Sequence, residues 1–578
     1  EVKIMVFLFF FFFSFISDSI HSISNTKISP HFSFSQIYCR GELLKTMQLN
    51  HLFNDSKSFV DLYQLNDPEV TLSNFDKMMQ KTKNNPNRTE LEAFLHENFS
   101  QESELDDWTP PDWQENPPSI RRIQDKNFQK WAKDLNLIWK TLMRKIKPKV
   151  FEHPNRHSLL HVENAFIVPG GRFREFYYWD SYWGMTGMLL CGMHQTVRGI
   201  LENFYSVVET YGFIPNGGRV YYLMRSHPPF LIRMTDKYLE FTKDTDFLAA
   251  NIATLDREYE FWLQTKMMEV EKEGKTYKLA RYVVKSQGPR PESYREDYEV
   301  GQKVESYRLE SLYNDLKAAA ESGWDFSSRW YNDSNGNDGS LTTVATSTII
   351  PVELNALLEE NARLLSKFHL DLNNVDKSAY YMTQSASFRA GIDNVLWNED
   401  EQIWLDYDTV NKISRNRFYP TNLTPLYTTS YNVSKAKELA ESSVRHLEKH
   451  GITEFMGGTP ASTENTGEQW DYPNAWAPLQ SFIILGLKGT GHEPATSVAK
   501  TLATRWLRAN LLGFTEYQQM FEKYDAINPG QRGAGGEYVV QTGFAFTNGV
   551  AMELLDIYSS TVFSEDKDCI SDSDEGER

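Results

Sequence analysis

Cysteine is almost missing from this chain. Three occur in 578 residues, Cys39, Cys191 and Cys569. That excludes a disulfide scaffold, so an apolar core has to supply the stability. Cys191, inside GMTGMLLCGM, reads as a buried free thiol. Cys39 and Cys569 lie near opposite ends, and a bridge between them stays open. No CxxC, His/Cys cluster, HExxH, EF-hand or Walker sequence occurs, so neither metal nor nucleotide is called for. Basic excess is also lacking: 60 Lys and Arg against 78 Asp and Glu leave a net charge of −18. Nucleic acid and anionic lipid surfaces attract the opposite sign.

Long apolar runs are confined to Met5–Ile16, MVFLFFFFFSFI, just after Lys3. The run is too short for a membrane span and reads as the core of a signal peptide over residues 1–22, cleaved between Ser17 and Ser24. A retained anchor helix is the alternative. Six N-x-S/T sequons, at Asn54, Asn87, Asn98, Asn332, Asn422 and Asn432, accord with secretion and with glycosylation at several of them. Asn422 is the poorest acceptor because Pro425 follows it. A polar leader fills 23–36, and the acidic stretch 561–578 reads as disordered. No apolar run follows it, so no stable membrane anchor is expected and the expected location is extracellular.

Period-two alternation is scarce, Gln402–Tyr407 being a short exception, and strands do not alternate regularly with helices. Helical periodicity dominates instead. Phe128, Trp131, Leu135, Ile138 and Leu142 mark one face of a helix predicted over 127–147 and ended by Pro148. Further helices are predicted over 41–52, 189–210, 233–263, 351–368, 377–396, 433–450, 476–487, 495–512 and 543–558. The reading is an all-α catalytic domain over 37–560, with polar and aromatic motifs in its connections.

What the chain has in quantity is aromatics interleaved with charge. Residues 169–183, PGGRFREFYYWDSYW, hold two arginines, two acids, three tyrosines, two tryptophans and two phenylalanines. Aromatic faces stack on the C–H faces of a sugar while carboxylates and guanidinium groups take its hydroxyls. A buried structural ion-pair cluster is the competing explanation. Similar segments follow at 214–229 (Asn216, Arg225, His227), 287–297 (Arg290, Glu292), 321–330 (Asp325), 468–478 and 521–549 (Glu522, Glu537). A glycosidase needs two carboxyl groups in unlike surroundings. Asp325, between Trp324 and Phe326, suits the one kept protonated, and Glu522, followed by Lys523, suits the ionised one. Each taken alone also fits a satisfied structural carboxylate.

The segments PGGRFREFYYWDSYW and QWDYPNAWAP (469–478) resemble the two signatures of the trehalases, glycoside hydrolase family 37. The resemblance runs from about Ile37 to Tyr558. It implies an (α/α)6 barrel, with active-site loops at one end, that hydrolyses α,α-trehalose to two glucose molecules with inversion. It makes Asp325 the general acid and Glu522 the general base. It places substrate on Arg172, Trp179, Asp180, Asn216, Arg225, Ser226, His227, Arg290, Pro291, Glu292, Gly323 and Glu537, with water as second substrate and no cofactor. Two departures stand out: His227 where glutamine is usual, and Ala545-Phe546 where Gly-Trp is usual. A related phosphorylase, a hydrolase of another α-glucoside and a non-catalytic sugar binder remain as alternatives. A sugar binder would be expected to have lost Asp325 or Glu522.

Overall fold

A computed structural model describes residues 35–332 and 339–565. The signal peptide, Cys569 and most of the acidic tail lie outside these residues. Among them, twelve helices form two concentric layers, alternating outer and inner along the chain. The first six are α1 (Lys126–Leu142), α2 (Tyr178–Leu190), α3 (His194–Tyr211), α4 (Leu231–Thr242), α5 (Thr245–Thr265) and α6 (Val352–Asp371). The second six are α7 (Val375–Gly391), α8 (Thr424–Thr428), α9 (Ala436–Lys449), α10 (Ala477–Gly489), α11 (Glu493–Tyr517) and α12 (Ala545–Ile557).

Burial separates the layers. The even-numbered α2, α10 and α12 are apolar on nearly every side and almost wholly buried, as a helix enclosed by others must be. Odd-numbered helices such as α1 and α9 bury one stripe and leave the rest to solvent. Each inner helix packs against the next, α2 on α4, α4 on α6, and so on to α12, which returns to α2. The ring is closed, and the architecture is an (α/α)6 barrel.

Helix boundaries differ from the sequence reading at identifiable signals. The predicted 189–210 helix corresponds to α3; its first residues, Leu189 and Leu190, close α2, which Gly192 at φ +84° separates from α3. The body of α2, with Trp179 and Asp180, is helical where the sequence reading has a connecting motif. The predicted 233–263 helix is two. Lys243 ends α4 in the left-handed region, and the Asp244 carboxylate accepts from Phe247 N–H to start α5. In α1 the predicted apolar face holds, although Ile138 is only partly buried. The helix stops at Leu142, and Pro148 opens a short helix instead of closing this one. Residues Met143–Ile146 become strand β2, joining β1 (Leu105–Asp107) to β3 (Phe166–Ile167). Pro351 is an N-cap, one residue earlier than a first-turn proline. Helices at Leu309–Glu321, Pro68–Lys81 and Arg88–Asn98 were not read from the sequence. Nor was the hairpin of β4 (Met267–Lys272) and β5 (Lys275–Ala280), turned at Glu273-Gly274.

The N-terminal helices build a second apolar core around Tyr38, Leu44, Phe59 and Phe94, and it shares Tyr177, Tyr221 and Tyr222 with the barrel mouth. Cys39 and Cys191 are both free thiols, and Cys191 is buried. Two sequons have buried asparagines whose amides are engaged, Asn98 donating to Phe94 O and Asn422 to Trp404 O. Neither can carry a glycan in the folded chain, whereas Asn54, Asn87 and Asn432 are exposed.

The closest inner contact is between α2 and α12. A Cβ on Gly549 would overlap the Trp183 carbonyl of α2, and one on Gly187 would meet the Trp139 ring at 2.6 Å. The first obstacle is backbone and cannot rotate away. Gly549→Ala should therefore destabilise the protein by roughly 3 kcal/mol, the upper end of overpacking, measured by denaturant unfolding. An unchanged unfolding midpoint would show that the ring can spread at this point.

Candidate functional site

Four of the six polar segments run directly into the N-termini of inner helices. Residues 169–177 enter α2, 214–229 enter α4, 468–476 enter α10 and 521–544 enter α12, while 287–330 lies in the long connection to α6. Every outer-to-inner connection must emerge at the same end of the closed ring, so segments remote in sequence meet there. Helix N-termini carry partial positive charge, which suits a mouth crowded with carboxyl groups.

One cavity at this end is lined by Arg172, Trp179, Asp180, Asn216, Arg225, His227, Arg290, Glu292, Gly323, Asp325, Glu522 and Glu537. Two residues named with them stand behind its wall. Ser226 Oγ donates to Ile214 O at 2.6 Å while its N–H donates to Glu321 at 2.9 Å. The Pro291 carbonyl accepts from Gln48 Nε2 at 2.9 Å. Gly323 has φ +80°, and any Cβ there would press on the Trp179 ring at 2.7 Å.

Aromatic rings form one side. Strands β6 (Asn474–Trp476) and β7 (Lys523–Asp525) pair antiparallel with Trp476 opposite Lys523, which sets Glu522 beside this wall. Trp470 stacks on Trp476 with centroids 3.9 Å apart and planes 5° apart, and its other neighbours are Trp324 at 5.3 Å and Trp179 at 5.9 Å. Asp325 follows Trp324, its carbonyl held by the Gln469 amide. The unusual Phe546 lies 6.2 Å from Trp476 and lines the cavity, so this departure reaches the ligand space itself.

The carboxyl groups are tuned apart. Burial lifts Asp325 to about 6, opposed by Arg290 and Arg225. Burial also raises Glu522, but Lys523, the Gln541 N–H and the Tyr538 hydroxyl work against the rise. Asp180, with no cation on it, is lifted by burial to about 8, so it is a hydrogen-bond donor at neutral pH. Burial and the Arg225 charge push His227 well below its usual range. A neutral imidazole offers one donor and one acceptor, as a glutamine amide can, and the substitution at this position keeps both kinds of group.

Arg172, Arg225 and Arg290 all line this cavity, although over a hundred residues separate the outermost pair. Arg225 pairs with Glu292 at 2.6 Å. Arg290 pairs with Asp297 at 2.6 Å and Glu537 at 2.8 Å. Arg172 makes two 2.6 Å bonds to Asp55, a residue of the N-terminal segment that no motif marked. Several buried polar atoms around the cavity have no hydrogen-bond partner in the protein: Arg225 Nε and Nη1, His227 Nδ1 and Glu292 Oε2. Buried polar atoms are rarely left unpaired, and a ligand covered in hydroxyls satisfies both donors and acceptors. Sequence reasoning also missed Tyr538, although it adjoins Glu537 in GGEY; Trp470 and Trp476, inside the segment 468–478 that the sequence marked, face the cavity as well. Among the described residues, no cluster of His, Cys, Asp and Glu could hold a metal ion.

The trehalase family model matches residues 51–559. A trehalase of Pimpla hypochondriaca is 58% identical over 525 residues, covering 91% of this chain and 90% of its own. The chain belongs to the trehalase family. The human trehalase is 45% identical over 531 residues, covering 92% of this chain and 90% of its own. Among solved structures, the neutral trehalase Nth1 of Saccharomyces cerevisiae superposes with a TM-score of 0.53 at 25% identity, covering 68% of this chain and 73% of that one. This family membership makes the chain a glycoside hydrolase.

The Arg225–Glu292 pair is almost fully enclosed. Removing one partner of such a pair leaves a buried charge uncompensated, at about 3–5 kcal/mol. Arg225→Met should lose stability on that scale, and Arg225→Met with Glu292→Leu should regain most of it in urea unfolding. Equal losses in the single and double variants would mean the pair is not the source.

Proposed function

We propose that the protein hydrolyses α,α-trehalose to two glucose molecules by a single displacement with inversion, Asp325 acting as general acid and Glu522 as general base. The observation that carries this reading is the unlike treatment of two carboxyl groups in one cavity. Asp325 sits against Trp324 and is lifted to about 6. Glu522 receives two hydrogen bonds, from Tyr538 Oη at 2.8 Å and Gln541 N at 3.1 Å, which favour its ionised form.

The chemistry follows from those states. Water held by Glu522 attacks the anomeric carbon, giving its proton to that carboxylate. The glycosidic bond breaks, and the leaving oxygen takes the proton of Asp325. Arg172, Arg225 and Arg290 present planar, permanently charged donors from three sides of the sugar. Trp179, Asp180, Asn216, His227, Glu292, Gly323 and Glu537 complete the set that reads its hydroxyls. Ser226 and Pro291 act one step back, by fixing the segments that carry Arg225, Arg290 and Glu292. The signal-like run at 5–16 and the exposed sequons at Asn54, Asn87 and Asn432 support a secreted glycoprotein as the natural form.

Substrate choice is tested by glucose release. Groups placed for both rings of trehalose stay unpaired with another linkage, and discrimination built that way is large. Maltose should be turned over at least about a hundredfold more slowly than trehalose; comparable rates would overturn the assignment. Asp325→Ala and Glu522→Ala should each lower kcat by about a hundredfold or more, the scale of general acid–base help, with unfolding midpoints near wild type. Wild-type turnover in either variant would remove that residue from the mechanism.

The pH dependence has a definite sign. Glu522 must be ionised, so activity falls as pH drops through its raised value. Asp325 must be protonated, so activity falls as pH rises through about 6. The profile of kcat/KM should be a bell centred on the acid side of neutrality, the limbs reporting the free enzyme. A rate that climbs steadily from pH 6 to pH 8 would contradict the acid role of Asp325.

A further inference from the structure

We propose that Tyr538 is a positioning residue for the general base: its hydroxyl fixes the Glu522 carboxylate, and a stack with Arg172, itself anchored on Asp55, fixes the tyrosine. This rests on the reading of Glu522 as the base.

The geometry behind it is a strap of chain. Residues 538–543 run antiparallel to Met520–Glu522, joined by Glu522 N to Gln541 O at 3.0 Å and Gly543 N to Met520 O at 2.7 Å. From this strap both Glu522 oxygens receive a donor, Oε1 from Tyr538 Oη at 2.8 Å and Oε2 from Gln541 N at 3.1 Å. A carboxylate held at both oxygens has one orientation, and in-line attack by water depends on orientation.

The tyrosine is itself held on two sides. The Arg172 guanidinium lies over its ring at 4.5 Å, and the Phe173 ring meets it edge-on at 5.5 Å. Arg172 N donates to Gln541 Oε1 at 2.9 Å, closing the loop between the two segments. Two 2.6 Å bonds to Asp55 keep the guanidinium in place. The chain Asp55, Arg172, Tyr538, Glu522 thus links the N-terminal segment to the base. Burial and the neighbouring Glu522 charge hold the Tyr538 phenol well above its ordinary value, so at working pH the tyrosine donates and Glu522 accepts.

Tyr538→Phe is the deciding variant, because it keeps the ring for Arg172 and Phe173 and deletes only the hydroxyl. Losing a bond to the charged form raises the carboxylate's pKa. The acid limb of the kcat/KM profile should therefore move up by about one pH unit, the scale of one charge-assisted hydrogen bond. kcat at the optimum should fall at least about tenfold, KM should stay within about twofold, and the melting temperature should hold.

Wild-type kcat with an unmoved acid limb would overturn the proposal. So would a fall in kcat without movement of that limb, since the hydroxyl would then act elsewhere. Glu522→Ala assayed with sodium azide tests the underlying reading separately. Azide attacks the anomeric carbon in place of activated water, forming a C–N bond as the glycosidic C–O bond breaks, and Asp325 protonates the leaving oxygen. Turnover restored by azide, with β-glucosyl azide as product, supports Glu522 as base whatever Tyr538→Phe does. A Glu522→Ala enzyme active without azide would remove the base itself, and the proposal with it.

Discussion

Closure of the inner ring is the constraint on which the rest depends. Six helices packed side by side into a ring with two glycines at its tightest contact have one end where all their N-termini emerge. The connections feeding those N-termini carry Arg172, Arg225, Glu522 and Glu537 to one place, with Asp325 in the longest of them. A site assembled from such distant segments needs a rigid scaffold, and a ring of nearly fully buried helices supplies it.

The second requirement is electrical. A cavity dry enough to lift Asp325 to about 6 is also one in which unpaired charge is costly. The structure meets this with a layered ion-pair system. Arg225 and Arg290 face the cavity with their own carboxylates, Glu292, Asp297 and Glu537. Behind them Lys57 and Arg219 share the fully buried Glu175, and Arg219 reaches Glu104 as well. Tyr177 links the layers, its hydroxyl bonded to Glu175 and 2.7 Å from that of Tyr222, whose ring lies 5.0 Å from the Arg225 guanidinium. The N-terminal segment, through Asp55 and Lys57, is thereby part of what holds the site.

The sequence made the chemistry more legible than the architecture around it. Asp325 and Glu522 stand out because an acid flanked by tryptophan and phenylalanine, or followed by lysine, announces its environment in adjacent residues. Arg172, Arg225 and Arg290 stand out because they lie in glycine- and proline-punctuated motifs. Asp55 announces nothing: its meaning comes from a partner over a hundred residues away, and no local pattern encodes that. Tyr538 is similar, since GGEY marks the glutamate while the tyrosine acquires its role only when the strap folds beside Glu522. Among the elements, period 3.6 located most barrel helices but not the Gly192 and Lys243 breaks, because an apolar stripe continues across a turn of only two or three residues. Leu309–Glu321 was obscured by its neighbourhood of polar motifs. The β2 strand was read as helix because two further apolar residues, Met143 and Ile146, kept the helical spacing while pairing with β1 and β3 decided otherwise.

The central claim is that water, activated by one carboxylate, displaces the glycosidic oxygen protonated by another in a single step. The stereochemistry of the first products tests this most directly. Trehalose hydrolysis followed by proton NMR within the first minutes, before mutarotation, should show β-glucose and α-glucose in equal amounts, because only the attacked carbon inverts. Two equivalents of α-glucose at the earliest times would mean retention, and with it a covalent intermediate that contradicts the roles assigned to Asp325 and Glu522.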